Sequence, residues 1–251
     1  MIKLLNQEIQ QYINANLNTD LHSLLLKKSP FPEVSMQELV QQIKGRKIAE
    51  KKFPFLNQDN VLFPPNLNLE QASSQDTAEF KAQFFKGKKF LDLTCGFGID
   101  AYFLSQNFEE ITLIEQNTEL LEIVKNNWEV LDRKANFINQ QLEDFLESNQ
   151  EKFDLIYLDP ARRDNNNRKV FLLEDLSPNI VEIQEKLGEI SDEILIKLSP
   201  LIDLQHLVSS LDNISKIWII AVKNEVKEVL IHIKKTDEKT EISCVNLQSL
   251  E

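Results

Sequence analysis

Apolar residues return every three to four positions through the first fifty residues of the chain. Ile9, Ile13 and Leu17, then Leu21, Leu24 and Leu25, mark one face of a helical stretch, which Ser29-Pro30-Phe31-Pro32 interrupts. Ser35, with Glu38 three residues on, has the form of a capping box, and Leu39, Val40 and Ile43 continue the helix it opens. The pattern then lapses. Residues 53–76 are rich in Pro, Asn and Ser, with Pro54, Pro64 and Pro65 among them, and read as an irregular connector. A helix over 76–85 leads to Gly87. From residue 88 onward short apolar runs alternate with helical stretches. Strands are predicted at 89–94, 110–115, 135–139, 154–158, 193–198, 215–222 and 241–247. Helices are predicted at 98–107, 118–132, 142–149, 178–188, 203–211 and 224–234. Asp154-Leu-Ile-Tyr-Leu158 and Ile194-Leu-Ile-Lys-Leu198 are apolar enough for central strands.

Alternation at this spacing builds βαβ units, and the short apolar strands suit a parallel sheet covered on both faces. The expected fold class is α/β: a doubly wound, mostly parallel seven-stranded sheet preceded by a small helical domain. The boundaries fall at 1–52 for the helical domain, 53–87 for the connector and lead-in helix, and 88–251 for the sheet domain. No apolar run reaches the roughly 18 residues of a membrane helix, and the N-terminus turns polar too soon for an export signal. The two cysteines, Cys95 and Cys244, have no Cys or His at metal-ligand spacing. With no export signal they point to a reduced, cytoplasmic protein with no structural metal, and the lack of a membrane-length run points to no membrane attachment. The net charge of −12 argues against strong non-specific nucleic-acid binding. The charge is unevenly divided, with 12 Lys/Arg against 9 Asp/Glu over residues 1–90 and 16 against 31 over 91–251. Contact with a polyanion is therefore expected in the first part, around Lys44, Arg46, Lys47, Lys51 and Lys52. Such a cluster also suits a solvated helix end.

Candidate chemistry gathers at the carboxyl ends of the predicted strands, where doubly wound sheets bind ligands. Phe90-Leu-Asp-Leu-Thr-Cys-Gly-Phe-Gly-Ile-Asp100 reads as a buried strand, a glycine turn and a helix start. Gly96 and Gly98 let the backbone turn sharply beneath a ligand, and the N–H groups opening the next helix face it. Glu115 ends the second strand, 17 residues after Gly98, and can accept both hydroxyls of a ribose. It also suits a cap for the helix that follows Asn117. Gly96-x-Gly98-x-x-Ala101 satisfies a dinucleotide fingerprint, so the glycines leave an NAD enzyme open. Asp92 tilts the choice. A carboxylate just before the turn disfavours a pyrophosphate and favours a ligand with an ammonium and a sulfonium group. The fourth strand ends in Asp159-Pro160-Ala161-Arg162.

Together these segments resemble class I S-adenosylmethionine-dependent methyltransferases. Phe90–Asp100 is similar to the family's first motif, Glu115 to its second, Gln140-Gln-Leu-Glu-Asp144 to its adenine-side loop and Leu155–Arg162 to its fourth. More narrowly, Leu69–Ser74, Asp92–Asp100, Asp159–Arg163 and Ile196–Pro200 resemble a bacterial group of RNA methyltransferases. Members of that group often continue into a C-terminal THUMP-like domain associated with RNA binding, which is absent before Glu251. The resemblance implies a Rossmann-like fold, S-adenosyl-L-methionine as cofactor and a base in rRNA or tRNA as substrate. It implies that the turn binds the cofactor through Asp92, Thr94, Cys95, Gly96, Phe97, Gly98 and Asp100. Of these, Asp92, Thr94, Gly96 and Gly98 fall at the methionine end. Glu115 takes the ribose, Gln116 and Leu142 flank the adenine, Gln141 meets its amino group, and Gln71, Ser73 and Ser74 close over the methionine carboxylate. Catalysis falls to Asp159, Pro160 and Arg162. Asp159 draws an acceptor amine toward tetrahedral geometry and Pro160 stiffens the turn. Arg162, Arg163 and Lys197 hold the base or its phosphates. Related amino-methylating enzymes carry a second proline and an aromatic residue where Ala161 and Arg162 stand. Two competing readings are therefore kept: a non-catalytic RNA- or protein-binding module on the same fold, and a methyltransferase for a protein or small molecule. His22, His206 and His232 lie on helical patterns and read as structural.

Overall fold

The computed structural model describes residues 2–162, 172–235 and 239–247. Its helices are α1 (Gln7–Ala15), α2 (Leu21–Leu25), α3 (Met36–Lys52), α4 (Asn66–Gln71), α5 (Gln75–Ala82), α6 (Ile99–Leu104), α7 (Thr118–Val130), α8 (Leu142–Ser148), α9 (Ile180–Ile190) and α10 (Leu204–Ser210). Its strands are β1 (Lys89–Asp92), β2 (Glu110–Ile114), β3 (Asn136–Ile138), β4 (Leu155–Leu158), β5 (Ala161–Arg162), β6 (Leu176–Ser177), β7 (Glu193–Leu198), β8 (Ile214–Val222), β9 (Glu225–Lys234) and β10 (Glu241–Leu247). These elements form two compact units. One draws on the chain up to Gln75, on Gly96–Ile99 and on Asn117–Lys134. The other draws on Asp76–Cys95, Asp100–Gln116 and the chain from Ala135 onward.

In the first unit α3 opens on the expected capping box: the Glu38 N–H donates to Ser35 Oγ (3.2 Å) and the Ser35 N–H to Glu38 Oε2 (2.7 Å). Gly45 on this helix lies under Phe63, where a Cβ would come within 2.2 Å of the Phe63 Cβ. The segment around Leu62 and Phe63 has no ladder of its own, so side-chain amides satisfy its backbone. Gln42 brackets Phe63, accepting from its N–H and donating to its carbonyl at 2.9 Å each. Asn127 of α7 brackets Leu62 in the same way at 2.8 Å each. Three of the five residues of the basic cluster expected to meet a polyanion make contacts within the chain. Arg46 is buried against Asn14 and Asp59, Lys47 donates to the Thr19 carbonyl, and Lys52 donates to those of Leu69 and Glu70.

The second unit holds an eight-stranded sheet in the order β10-β8-β9-β7-β4-β1-β2-β3. All neighbours pair parallel except β9, which runs antiparallel to β7 on one side and β8 on the other. The doubly wound α/β class stands, with eight strands instead of seven. The extra strand is β9, where the sequence pattern predicts a helix over 224–234. The hairpin before it turns through Lys223 and Asn224, both at positive φ (50° and 64°). Two-residue hairpin turns need that conformation, and glycine normally advertises it. Here no glycine does. Val226, Val229, Ile231 and Ile233 supply the β-branched character of a strand. His232 therefore lies on a strand, not a helix. The connector also contains a helix, α4, that its composition concealed.

Period-two alternation gives the central strands two different faces. Leu91, Leu93, Ile156, Leu158, Ile194, Ile196, Val229 and Ile231 form an apolar core with α8, α9 and α10, through Leu142, Phe145, Ile180, Leu187 and Leu207. The alternate residues Asp92, Tyr157, Lys197 and Glu228 point to the other face. There Phe84, just past α5, stacks near Trp218 (5.2 Å), and Phe85 meets His232 edge-on (5.2 Å). Among the described residues no helix is long and apolar enough to cross a membrane.

Candidate functional site

The polar face of the sheet carries a buried ladder of alternating charge. Lys197 on β7 places its Nζ 2.5 Å from Asp159 Oδ2 and 3.4 Å from Asp100 Oδ2. The other oxygen of Asp100 lies 3.0 Å from Lys81 Nζ on α5. Lys81 is fully buried and reaches Glu228 Oε1 on β9 at 2.5 Å. Tyr157 on β4 donates its hydroxyl to Asp100 Oδ2 at 2.7 Å. Burial works against the charge of Lys197, but the carboxylates of Asp159 and Asp100 outweigh it and hold the ammonium well above its ordinary range. Removing such a group from water is costly unless it is paired, and here each lysine is paired twice.

β1 ends on Asp92, opposite Tyr157 in the parallel register. The Asp92 carboxylate is almost wholly buried and accepts the Thr94 N–H at 2.9 Å. Burial pushes its pKa well above 3.8; the Thr94 bond opposes this, and Asp100, Asp159 and Glu115, carboxylates all, push it further up. Thr94 in turn accepts the Asp159 N–H on its hydroxyl at 2.6 Å, which ties the end of β4 to the loop after β1. Glu115 is half-buried just past β2; its N–H donates to the Ile138 carbonyl (3.2 Å) and its carbonyl accepts from Asn139 (2.8 Å). Asp92, Thr94, Glu115, Asp159 and Lys197 thus lie at or beside the carboxyl ends of neighbouring strands, the position from which a doubly wound sheet addresses a ligand. A cleft of about 290 Å³ lined by Lys88, Lys152, Asp154 and Asp192 lies at the opposite, amino ends of β1 and β4, away from these residues.

The remaining sequence-derived residues take several positions. Gly96 and Gly98 both adopt positive φ (56° and 74°), so the turn requires them. Phe97 turns its ring into an aromatic cluster of the first unit, against Phe53 (5.7 Å) and Phe63 (6.3 Å). Cys95 is buried, and burial holds its thiol well above its ordinary range, so it is a poor nucleophile. Asp100, read as a cofactor ligand, is engaged by Lys81, Lys197 and Tyr157. Gln116 is exposed, Leu142 is buried, and Gln141 occupies the cap position of α8 without using its side chain as the cap. Gln71 is exposed at the end of α4, Ser73 is buried and Ser74 half-buried. Pro160 is buried beyond β4. Arg162 is described by its backbone, paired with Leu176 in the small β5-β6 ribbon, and Arg163 lies outside the described residues.

Lys81, Tyr157 and Glu228 were not singled out by the sequence. Lys81 reads as an ordinary helix lysine, and Glu228 falls in the segment that reads as a helix. The recoverable signal was periodicity: Tyr157 and Asp159 are two apart, and Lys197 interrupts an apolar strand on the same alternate face.

Residues 73–187 match the model of a family described as Conserved hypothetical protein 95. No curated protein matches the chain. A solved structure named "putative methyltransferase" from Porphyromonas gingivalis W83 is 28% identical, with a TM-score of 0.83 over 97% of this chain. The chain spans 62% of that relative's length. More distant structures include a 16S rRNA N2 G1207 methyltransferase of T. Thermophilus, in complex with AdoMet and guanosine (14% identity, TM-score 0.48, 69% of this chain and 44% of that one). Another is M. capricolum TrmK with S-adenosyl-homocysteine (16%, 0.48, 65% and 69%).

Proposed function

We propose that the chain is an S-adenosylmethionine-dependent methyltransferase acting on a base in RNA. The observation that carries the reading is Asp92: a buried carboxylate whose strongest charged neighbours are other carboxylates, held at the end of a central strand and followed by two glycines at positive φ. Such a group calls for a cation. The cofactor supplies a methyl group on a sulfonium, and its α-ammonium suits Asp92 better than a pyrophosphate does. Glu115 would hold the ribose, and Gln116, Gln141 and Leu142 the adenine. Gln71, Ser73 and Ser74 would meet the carboxylate of the methionine moiety. The P. gingivalis structure, alike over nearly the whole chain, supports the reaction class.

With the methyl group supplied by the cofactor, the chain's task is to position the acceptor. Asp159 keeps one carboxylate oxygen on Lys197, and its side chain remains 37% exposed. It can therefore accept a hydrogen from an acceptor N–H; burial pushes its pKa up, and Lys197 opposes that rise and holds the carboxylate in place. Pro160 limits the freedom of the turn, and Arg162 and Arg163 would supply base stacking or phosphate contacts. Calorimetry with S-adenosylmethionine or S-adenosylhomocysteine tests the cofactor. Transfer of labelled methyl groups to RNA from cells lacking the gene tests the substrate. Absence of cofactor binding contradicts the whole reading. Cofactor binding with no transfer to any RNA pool favours a non-catalytic module, or a protein or small-molecule acceptor; the departure at Ala161 and Arg162 motivates those alternatives.

A further inference from the structure

We propose that Lys81 is a positioning residue for Asp159, acting through Asp100 and Lys197; this rests on reading Asp159 as the group that meets the methyl acceptor. Lys197 stands between two carboxylates and sits closer to Asp159 (2.5 Å) than to Asp100 (3.4 Å). Asp100 is already served by Lys81 at 3.0 Å and by the Tyr157 hydroxyl at 2.7 Å. Its demand on Lys197 is thereby reduced, and Lys197 leans toward Asp159. Lys81 in turn is held by Glu228, on the antiparallel strand inserted into the sheet. Every member of the ladder but Asp159 is nearly or wholly buried, so little water is available to replace a missing partner. Without Lys81, Asp100 draws Lys197 back and Asp159 loses the contact that fixes its carboxylate. The coupling reaches from α5, outside all four motifs, to the end of β4.

Lys81→Met alone strips Glu228 of its buried lysine, and the variant is expected to melt at a lower temperature. The informative protein is the double variant Lys81→Met/Glu228→Leu. It removes the ion pair as a unit, and apolar replacement of a buried pair is often neutral for stability. Asp100 still loses Lys81 in this variant, so the proposed shift of Lys197 remains. Two measurements on the full-length double variant and wild type decide the matter. In crystal structures, Lys197 Nζ is expected at about 3 Å from Asp100 and beyond hydrogen-bond distance from Asp159. In transfer from labelled S-adenosylmethionine to RNA from cells lacking the gene, kcat is expected to fall at least about tenfold, since misplacement by about 1 Å costs that much or more. The KM for RNA and the affinity for S-adenosylhomocysteine are expected to stay within about twofold. A purely structural role predicts wild-type kcat once stability is restored. The proposal is overturned if Lys197 stays on Asp159 in the double variant, or if it moves and kcat does not fall. Wild-type protein that binds no cofactor contradicts the methyltransferase reading instead, and the crystallographic comparison still decides whether Lys81 sets the contact.

Discussion

A carboxylate buried at the end of a central strand works against the fold unless something cationic meets it. For Asp92 the consequence can be followed with pH. Burial raises its folded-state pKa above 3.8, so the folded chain holds this proton more tightly than the unfolded chain does. The stability it contributes is full below the ordinary carboxyl value. It is lost as pH rises through the raised folded value. Asp92→Asn removes that loss. In thermal melts of the ligand-free protein, the variant is expected to gain about 2–4 °C in Tm at pH 7–8, with the gain vanishing toward pH 4. A Tm gain independent of pH would contradict this account of Asp92. The same substitution is expected to weaken cofactor binding, the usual conflict between stability and a site built for a ligand. Asp92, Glu115 and Asp159 were legible in the sequence because each is a lone carboxylate closing an apolar run. Lys81 was not, because nothing local distinguishes a buried lysine from a solvated one; tertiary pairing with Asp100 and Glu228 makes the difference.

Elements succeed or fail here on close backbone contacts and turn geometry. Gly45 permits Phe63 to cross α3 at contact distance. Gly45→Ala is expected to cost about 1–3 kcal/mol in urea unfolding, although alanine is the better helix former. An unchanged or raised midpoint would show that Phe63 can move aside. The β8-β9 hairpin carries the opposite signature. Lys223 sits at φ 50° with a side chain that disfavours it. Lys223→Gly is therefore expected to stabilise the protein by about 0.5–1 kcal/mol, read as a raised urea midpoint at unchanged slope. That hairpin is also where the sequence reading failed. The run Val226-Lys-Glu-Val-Leu-Ile-His-Ile233 serves a helix or a doubly buried strand equally well, and without a glycine in the turn no local mark separates them. The strand is chosen by its neighbours, since β7 and β8 both offer it a ladder. By contrast, the capping box at Ser35 and the strands β1, β2, β3, β4 and β7 were legible because their signals are local.

For the whole molecule, order along the chain and order across the sheet together explain why a few scattered motifs converge. The central neighbours β4-β1-β2 bring the ends of three apolar runs side by side, so Asp92, Glu115 and Asp159 become neighbours in a sheet although they span 67 residues of sequence. The acidic balance of the chain fits this arrangement, because the strand ends gather carboxylates that suit a cationic ligand. The cations of the N-terminal region serve the fold first, as Arg46, Lys47 and Lys52 show. The central claim is that the end of β1 holds a cationic nucleoside cofactor. Isothermal calorimetry of S-adenosylmethionine against the intact protein, Asp92→Ala and Glu115→Ala tests it most directly. The expected result is one site per chain in the intact protein, weakened by about tenfold or more in each variant, since each loses charged hydrogen bonds of about 1.5–3 kcal/mol. No heat of binding with the intact protein, or equal affinity in all three, would contradict it.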